Sequence, residues 1–504
     1  MYNKHKFKDG HIELRHVLYM TGKTLSAIGI VETVAAITSL LYREWNMLFN
    51  LMIGIGLFFL VSFTFIFIGR DTKEEKFSWG AGMSMVALTW ALGALISAVP
   101  PYLSGHFKSY LDAFFEVMSG YTTTGLVLIQ DLDHAPMGLN MWRHLITYIG
   151  GQGMVLMTLS FLASGMRGLL KVYMGEARDE QIFPNVMHTA RIIWSVSLLY
   201  LVLGTLALTI NGVLIGLPLD MAFFRGLWMF LGGWDTAGFA PQSQNAMYFH
   251  SLSYEIISMT IMILGTINFA LHYFILTGNY KEGIRNAEIK SLFTTITILS
   301  FLGAVALKGI YSDGAVSFRK TFYHFVSAHT GTGFATLYSQ QFFYEWSDAA
   351  IILLVIAMLA GGSVCSTAGG IKALRIAILA NALVNDIKKM IKPDSAVVVE
   401  KFHHLKEVTL QDKHVRNASI IILLYIATFA FGTLAGTFFG YPLKAAMFES
   451  ASALGNVGLS IGITQPSMPD ALKIIYIFMM WVGRLEFMSV IALFAFLFKE
   501  AKEG

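Results

Sequence analysis

Ten stretches of this chain are long and apolar enough to cross a lipid bilayer, near residues 18–42, 46–69, 77–100, 141–165, 187–213, 251–277, 292–310, 347–380, 417–438 and 470–498. Each supplies the roughly 20 residues that a spanning helix needs. In lipid every main-chain polar group must find its partner inside the protein, so such runs fold as helices. With 55% hydrophobic and only 13% charged residues, the chain lacks the polar surface of a soluble domain, which carries roughly 25% charge. The fold class expected is an all-α polytopic membrane protein.

Four other apolar stretches, near 112–124, 221–236, 319–331 and 442–455, are amphipathic and too short to span, and each runs into a glycine-bearing segment. They suit re-entrant half-helices. The basic residues orient the chain. The connector 166–190 holds Arg167, Lys171 and Arg178; 278–291 holds Lys281, Arg285 and Lys290; and 381–416 is richer still. The opposite loops "VLIQDLDHAPMGLN" and "APQSQNAMYFH" contain no Lys or Arg. With an even number of spans, both termini are expected to be cytoplasmic. The net charge of +4 sits mainly in connectors, which gives a nucleic-acid reading little support. The single cysteine, Cys365, excludes an intrachain disulfide, and no Cys/His metal spacing is present. The polar first 17 residues do not resemble a secretory signal, so no cleavage is expected.

Taken alone, "SGYTTTGLVL" (119–128) reads as a helix ending at Gly125 with threonines capping it. It gains meaning from recurrence. The segments "FFEVMSGYTTTGLVL" (114–128), "WMFLGGWDTAGFAPQ" (228–242), "YHFVSAHTGTGFATL" (323–337) and "FESASALGNVGLSIG" (448–462) share Gly125, Gly238, Gly333 and Gly458. A second glycine follows each by about one span length, at Gly150-Gly151, Gly265, Gly361-Gly362 and Gly483. Four ordered copies indicate an internal repeat. The expected organisation is an N-terminal helix pair (1–75) and four units of span, half-helix, loop and span at 76–170, 171–285, 286–395 and 396–504, the third carrying an intramembrane break. Four such units can surround one axis. Half-helices directing their C-terminal ends inward present partial negative charge to a cation, and loop carbonyls can replace its water shell. The threonines need only orient the loops from behind.

"MLAGGSVCSTAGGIKALR" (358–375) interrupts a span-like region with four glycines, two serines and a threonine. Continuous helix is hard to sustain there, so the segment is a candidate gate; a helix-packing face of small residues is the alternative. Lys372 is expected to approach a cytoplasmic cavity or snorkel outward. Arg484, two residues before Glu486, divides between a structural ion pair and a contribution to pore electrostatics. Arg143 has the same two readings, and Asp235 either adds negative field or caps a helix. His144, His272 and His329 could join a proton relay, although packing explains them as well. An enzyme reading would have to use Cys365 or Ser366 without a placed base, which is weak. An unrelated scaffold would not need four glycine loops.

These loops, together with "SVCSTAGGIKALR", "WRHLITYIGGQG" (142–153) and "WVGRLEF" (481–487), resemble the Trk/Ktr/HKT superfamily of potassium and sodium transporters over nearly the whole chain, most closely its bacterial TrkH branch. The extra helix pair resembles that branch too, being absent from KtrB-like proteins. The resemblance implies ion contacts at Thr123, Thr124 and Gly125; Thr236, Ala237 and Gly238; Gly331, Thr332 and Gly333; and Asn456, Val457 and Gly458. It implies a gate formed from Gly361, Gly362, Ser366, Thr367, Gly369, Gly370 and Lys372, with Arg484 beneath the filter. Glycine in all four loops implies K⁺ as the transported ion; a sodium-selective or cation/proton-coupled transporter is the alternative. The resemblance further implies a bacterial inner-membrane location, a homodimer and a TrkA-like cytoplasmic ring of nucleotide-binding subunits. No GxGxxG dinucleotide fold occurs in the chain itself, so no organic cofactor is expected. Gly331 marks the third loop as unusually flexible, and Asn456 stands where threonine is common.

Overall fold

The computed structural model describes residues 2–72, 78–153, 186–391, 393 and 401–503. The connector 166–185 and the latter half of the expected span 141–165 lie outside the described residues, as does the boundary expected between the first two units. An N-terminal helix pair, α1 (Tyr2–Leu41) and α2 (Trp45–Gly69), precedes α3 (Trp79–Ser97), α4 (Tyr110–Tyr121) and α5 (Met137–Gln152). Next come α6 (Val186–Leu214), α7 (Leu219–Trp234), α8 (Leu252–Gly265) and α9 (Phe269–Leu276), then α10 (Ala287–Ala306), α11 (Gly314–His329), α12 (Asp348–Leu359) and α13 (Ala373–Ile391). A two-stranded antiparallel hairpin, β1 (Lys401–His404) with β2 (Lys406–Thr409), leads into α14 (Asp412–Phe438), α15 (Leu443–Gly455), α16 (Asp470–Arg484) and α17 (Met488–Glu503).

Among the described residues six helices are long and apolar enough to span: α1, α2, α3, α6, α10 and α14. The chain is a multi-pass, almost wholly helical membrane protein. The α3 span is 67% buried and that of α2 28%, which places α3 inside and α2 at the periphery. Phe63 and Phe67 on α2, Leu203 and Leu206 on α6, and Phe301 on α10 expose large apolar side chains where lipid would cover them.

The other expected spans are modified. Residues 251–277 and 470–498 are each a helix pair, bent by 105° between α8 and α9 and by 109° between α16 and α17. The first bend follows from Asn268, whose side chain accepts from the Ala270 N–H at 2.8 Å and starts a new helix. At the second, Glu486 and Phe487 take left-handed backbone (φ 50° and 68°). The expected span 347–380 is split, α12 ending at Leu359 and α13 beginning at Ala373.

The four short elements are α4, α7, α11 and α15, of 12, 16, 16 and 13 residues. At 1.5 Å per residue none crosses a hydrocarbon core of about 30 Å. Ser109 caps α4 by accepting from the Asp112 N–H, and Asp313 caps α11 by accepting from Ala315. Pro218 and Pro442, immediately before α7 and α15, pre-set the chain for a helical start.

Candidate functional site

All four short helices end in one way. The N–H groups of Thr124, Ala237, Thr332 and Val457 donate to the carbonyls five residues earlier, of Ser119, Gly232, Ser327 and Ser452, at 2.7, 2.8, 2.9 and 3.0 Å. This is the six-to-one closure of a Schellman turn, which turns the chain off the helix axis. It needs left-handed backbone, found at Thr123, Thr236, Gly331 and Asn456 (φ 51°, 49°, 74° and 54°) and again two residues on, at Gly125, Gly238, Gly333 and Gly458 (φ 88°, 68°, 82° and 91°). Gly331 is therefore not an anomaly. It occupies the position where the other loops strain a threonine or use asparagine, the residue that tolerates this backbone best after glycine.

The second set of glycines has a further constraint. A Cβ on Gly125 would fall on the carbonyl oxygen of Ala237, one on Gly238 on that of Thr332, one on Gly333 on that of Val457, and one on Gly458 on that of Thr124. Each loop leans on the next, and the fourth leans on the first. The side chain of Asn456 strengthens this last junction, donating to the Thr124 hydroxyl at 3.0 Å and to the Met480 carbonyl at 2.9 Å. Thr122 and Thr124 share a hydrogen bond of 2.8 Å, as do Thr330 and Thr332, while Thr236 donates to the Asp235 carbonyl. On the side of the residues that follow the glycines lies a cavity of about 260 Å³, lined by all four glycines with Gln130, Gln242 and Ser460 among others.

The segment between α12 and α13 lies against the opposite side of the loops. Cβ atoms on Gly331 and Gly369 would face Ala368 and Asn456 respectively. Its ends pair as a short parallel bridge, with Gly361 N–H donating to the Ile371 carbonyl and Ile371 N–H to that of Leu359. The Thr367 hydroxyl lies within hydrogen-bond distance of the Trp234 and Gly265 carbonyls, at 2.9 and 2.8 Å. Ser366 bonds back to the Ser363 carbonyl, Val364 N–H donates to Glu288, and Gly362 presses on Thr266. Tyr425 reaches the Gly370 and Gly483 carbonyls. The break thus replaces helix hydrogen bonds with a dense local set.

Arg484 donates to main-chain carbonyls of Thr367 and Gly150. Glu486 pairs instead with Arg375 and lies 4.0 Å from Lys372. Lys372 does not snorkel outward: it is buried, and its ammonium donates to the Ala368 carbonyl. Folding back along its own segment satisfies the charge close to Glu486, which sequence distance conceals. Arg143 is a buried structural ion, bound to Glu116 at 2.8 Å, to Asn140 and to the Ala240 carbonyl. Asp235 stands at the C-terminal end of α7, where its main-chain N–H donates to the Leu231 carbonyl, and its carboxylate accepts from Gln152. His144 stacks on Trp228, His272 bonds to the Leu264 carbonyl and His329 to Thr295, all packing roles.

The family profile described as "TrkH: Cation transport protein" matches residues 48–503. The chain belongs to the TrkH family. Membership makes it a cation transporter and not an enzyme. An uncharacterised cation transporter of Methanocaldococcus jannaschii is 31% identical over 96% of both chains. The Trk system potassium uptake protein TrkG of Escherichia coli K12 is 27% identical over 96% of this chain and 98% of its own. The crystal structure of the potassium transporter TrkH from Vibrio parahaemolyticus has the same fold, with a TM-score of 0.80 at 22% identity over 95% of this chain and 98% of that one. Among the described residues no group of three or more His, Cys, Asp or Glu side chains could hold a metal ion. In this TrkH-family chain the oxygens gathered at the loops are main-chain and hydroxyl oxygens.

Two features escaped sequence reasoning. The bends at 266–268 and 485–487 left only Asn268 as a legible cap. The Glu288 contact to Val364 joins residues 76 apart and leaves no local signal.

Proposed function

We propose that the chain carries K⁺ across the membrane through a pore bounded by the loops at Gly125, Gly238, Gly333 and Gly458. The observation that carries this reading is the closed succession of contacts, each glycine against the carbonyl preceding the next. Four helix C-termini meet there, and their partial negative charge favours a cation. Carbonyls of Thr123, Thr124, Thr236, Ala237, Gly331, Thr332, Asn456 and Val457 are the oxygens offered to a dehydrated ion. Selectivity for K⁺ is supported by the four glycines and by relatives named as potassium uptake proteins.

The segment from Gly361 to Lys372 serves as the gate below the loops, with Arg484 tethering it to the first unit. Its support is position: it lies against Gly331 and Asn456 and touches the ends of α7 and α8. The four-unit division, the homodimer, the nucleotide-binding cytoplasmic ring and cytoplasmic termini belong to the same reading. Basic residues at Lys281, Arg285, Lys388, Lys389 and Lys413 support that orientation.

The test is ⁸⁶Rb⁺ uptake into proteoliposomes under an inside-negative potential, competed by K⁺ and by Na⁺, beside Gly125→Ser. Competition by K⁺ with little effect of Na⁺ is expected, and the serine should weaken that preference. Strong Na⁺ competition, or ²²Na⁺ entry without Rb⁺ flux, would replace the potassium reading with the sodium one. Flux that requires a proton gradient would favour coupled transport.

A further inference from the structure

Nine residues before its central glycine, each short helix carries Glu116, Met229, His324 or Glu449 in turn. All four are buried. Three residues after the glycine stand Leu128, Pro241, Thr336 and Ile461. Leu128 N–H donates to Glu116 at 2.6 Å, Thr336 N–H to His324 Nε2 at 3.1 Å, and Ile461 N–H to Glu449 at 3.1 Å. In the second unit Pro241 has no N–H to donate, and the opposing side chain, Met229, is no strong acceptor. Acceptor and donor are present together three times and absent together once.

A buried main-chain N–H without a partner is costly, so each acceptor fixes where its strand can run. Those strands form the walls of the cavity beyond the glycines, where Ile129, Ala240, Ala335 and Ser460 face it. The carboxylates hold more than one group: Glu116 also accepts from Ile129, and Glu449 from Ser460 and Thr464. The imidazole holds one, and its other nitrogen, Nδ1, donates to the Lys320 carbonyl at 2.7 Å, which fixes the tautomer.

Resting on the transport function proposed above, we infer that Glu116, His324 and Glu449 are positioning residues for ion selectivity. Each sets the width of the loop ring by pinning the strand that leaves it. The Met229–Pro241 pair is the apolar equivalent in the second unit.

The test transplants that pair into the third unit. Wild type, His324→Met, Thr336→Pro, His324→Gln and the double variant His324→Met/Thr336→Pro are purified and reconstituted. The concentrations of K⁺ and Na⁺ that halve ⁸⁶Rb⁺ uptake are then measured, with thermal unfolding as the control for assembly. His324→Met should reduce the K⁺-over-Na⁺ preference about tenfold, while the double variant returns to within about threefold of wild type, a coupling expected of neighbours and not of independent sites. His324→Gln keeps an acceptor and should lie near wild type. A preference unchanged in His324→Met, or a double variant no better than that single one, overturns the inference. If both single variants fail to assemble and the double assembles with its preference intact, the pairing is supported; if the double also fails, it is overturned. Wild type with no cation flux would instead bring down the transport reading itself.

Discussion

At the scale of single residues, the loops separate two uses of glycine. Gly331 has left-handed backbone and only ordinary van der Waals contacts around a notional Cβ, the nearest being the Asn456 carbonyl oxygen at 3.5 Å, whereas Gly333 has both the backbone and a carbonyl in the way. The strain of a left-handed non-glycine residue is about 1–2 kcal/mol, and least for asparagine. Gly331→Ala should therefore cost only the left-handed strain of about 1–2 kcal/mol, whereas Gly333→Ala should destabilise by clearly more or prevent assembly; equal effects in a thermal-shift assay would contradict this. The four glycines and their neighbours could be read directly from the repeated segments. The role of Gly331 could not, because a glycine in a sequence does not say whether it relieves strain or adds freedom. The Glu, Met, His, Glu series and the Leu, Pro, Thr, Ile series lie inside the same four segments, but residues twelve apart carry no local signal that one accepts from the main chain of the other.

At the scale of elements, the hairpin β1–β2 is bound to the membrane body through His403, which lies 2.8 Å from Glu282 and 3.1 Å from Glu407. The hydrogen bond to Glu282, aided by Glu407, raises the His403 pKa above its ordinary 6.5. A raised histidine stabilises the folded arrangement fully below its unfolded pKa, and the contribution is lost as pH rises through the folded value. Hairpin amides, corrected for intrinsic exchange rates, should lose protection from deuterium exchange as pH rises from 6 into the alkaline range. Glu282→Gln should flatten that step. Within the membrane, Thr367→Val removes the hydroxyl that ties the broken segment to α7 and α8, and basal Rb⁺ flux should rise if that segment is the gate. The break itself was legible, since four glycines in 358–375 oppose a helix. The bends between α8 and α9 and between α16 and α17 were not, because both flanks are apolar and hydropathy does not record direction. The hairpin lies in a polar connector and gave too short a strand pattern to detect.

At the scale of the whole molecule, the first short helix, α4, and the penultimate helix, α16, are joined across the length of the chain. Lys473 on α16 and Asp112 on α4 form a buried ion pair at 2.6 Å, with side chains only 3% and 2% exposed. Lys473→Met leaves the Asp112 carboxylate buried, and breaking such a pair costs about 3 kcal/mol or more. The single variant should unfold well below wild type, and Asp112→Asn added to it should recover a large part of the loss. Recovery of nothing would mean that the contact is incidental. The global plan was readable because ten apolar runs and four glycine loops are both long-range patterns: six runs are unbroken helices, two are bent, one is split and one leaves the described residues. Which segment touches which was not readable.

The seamless contact between the fourth loop and the first has a meaning for biosynthesis. A ribosome releases Gly125 long before Gly458, so Thr124 waits without its neighbour while more than half of the chain is still being inserted. Three loops cannot enclose anything. A chain stalled or cleaved before its fourth loop lacks the contact of Gly458 with the Thr124 carbonyl, so the succession of loops closes only when nearly all of the chain is in place.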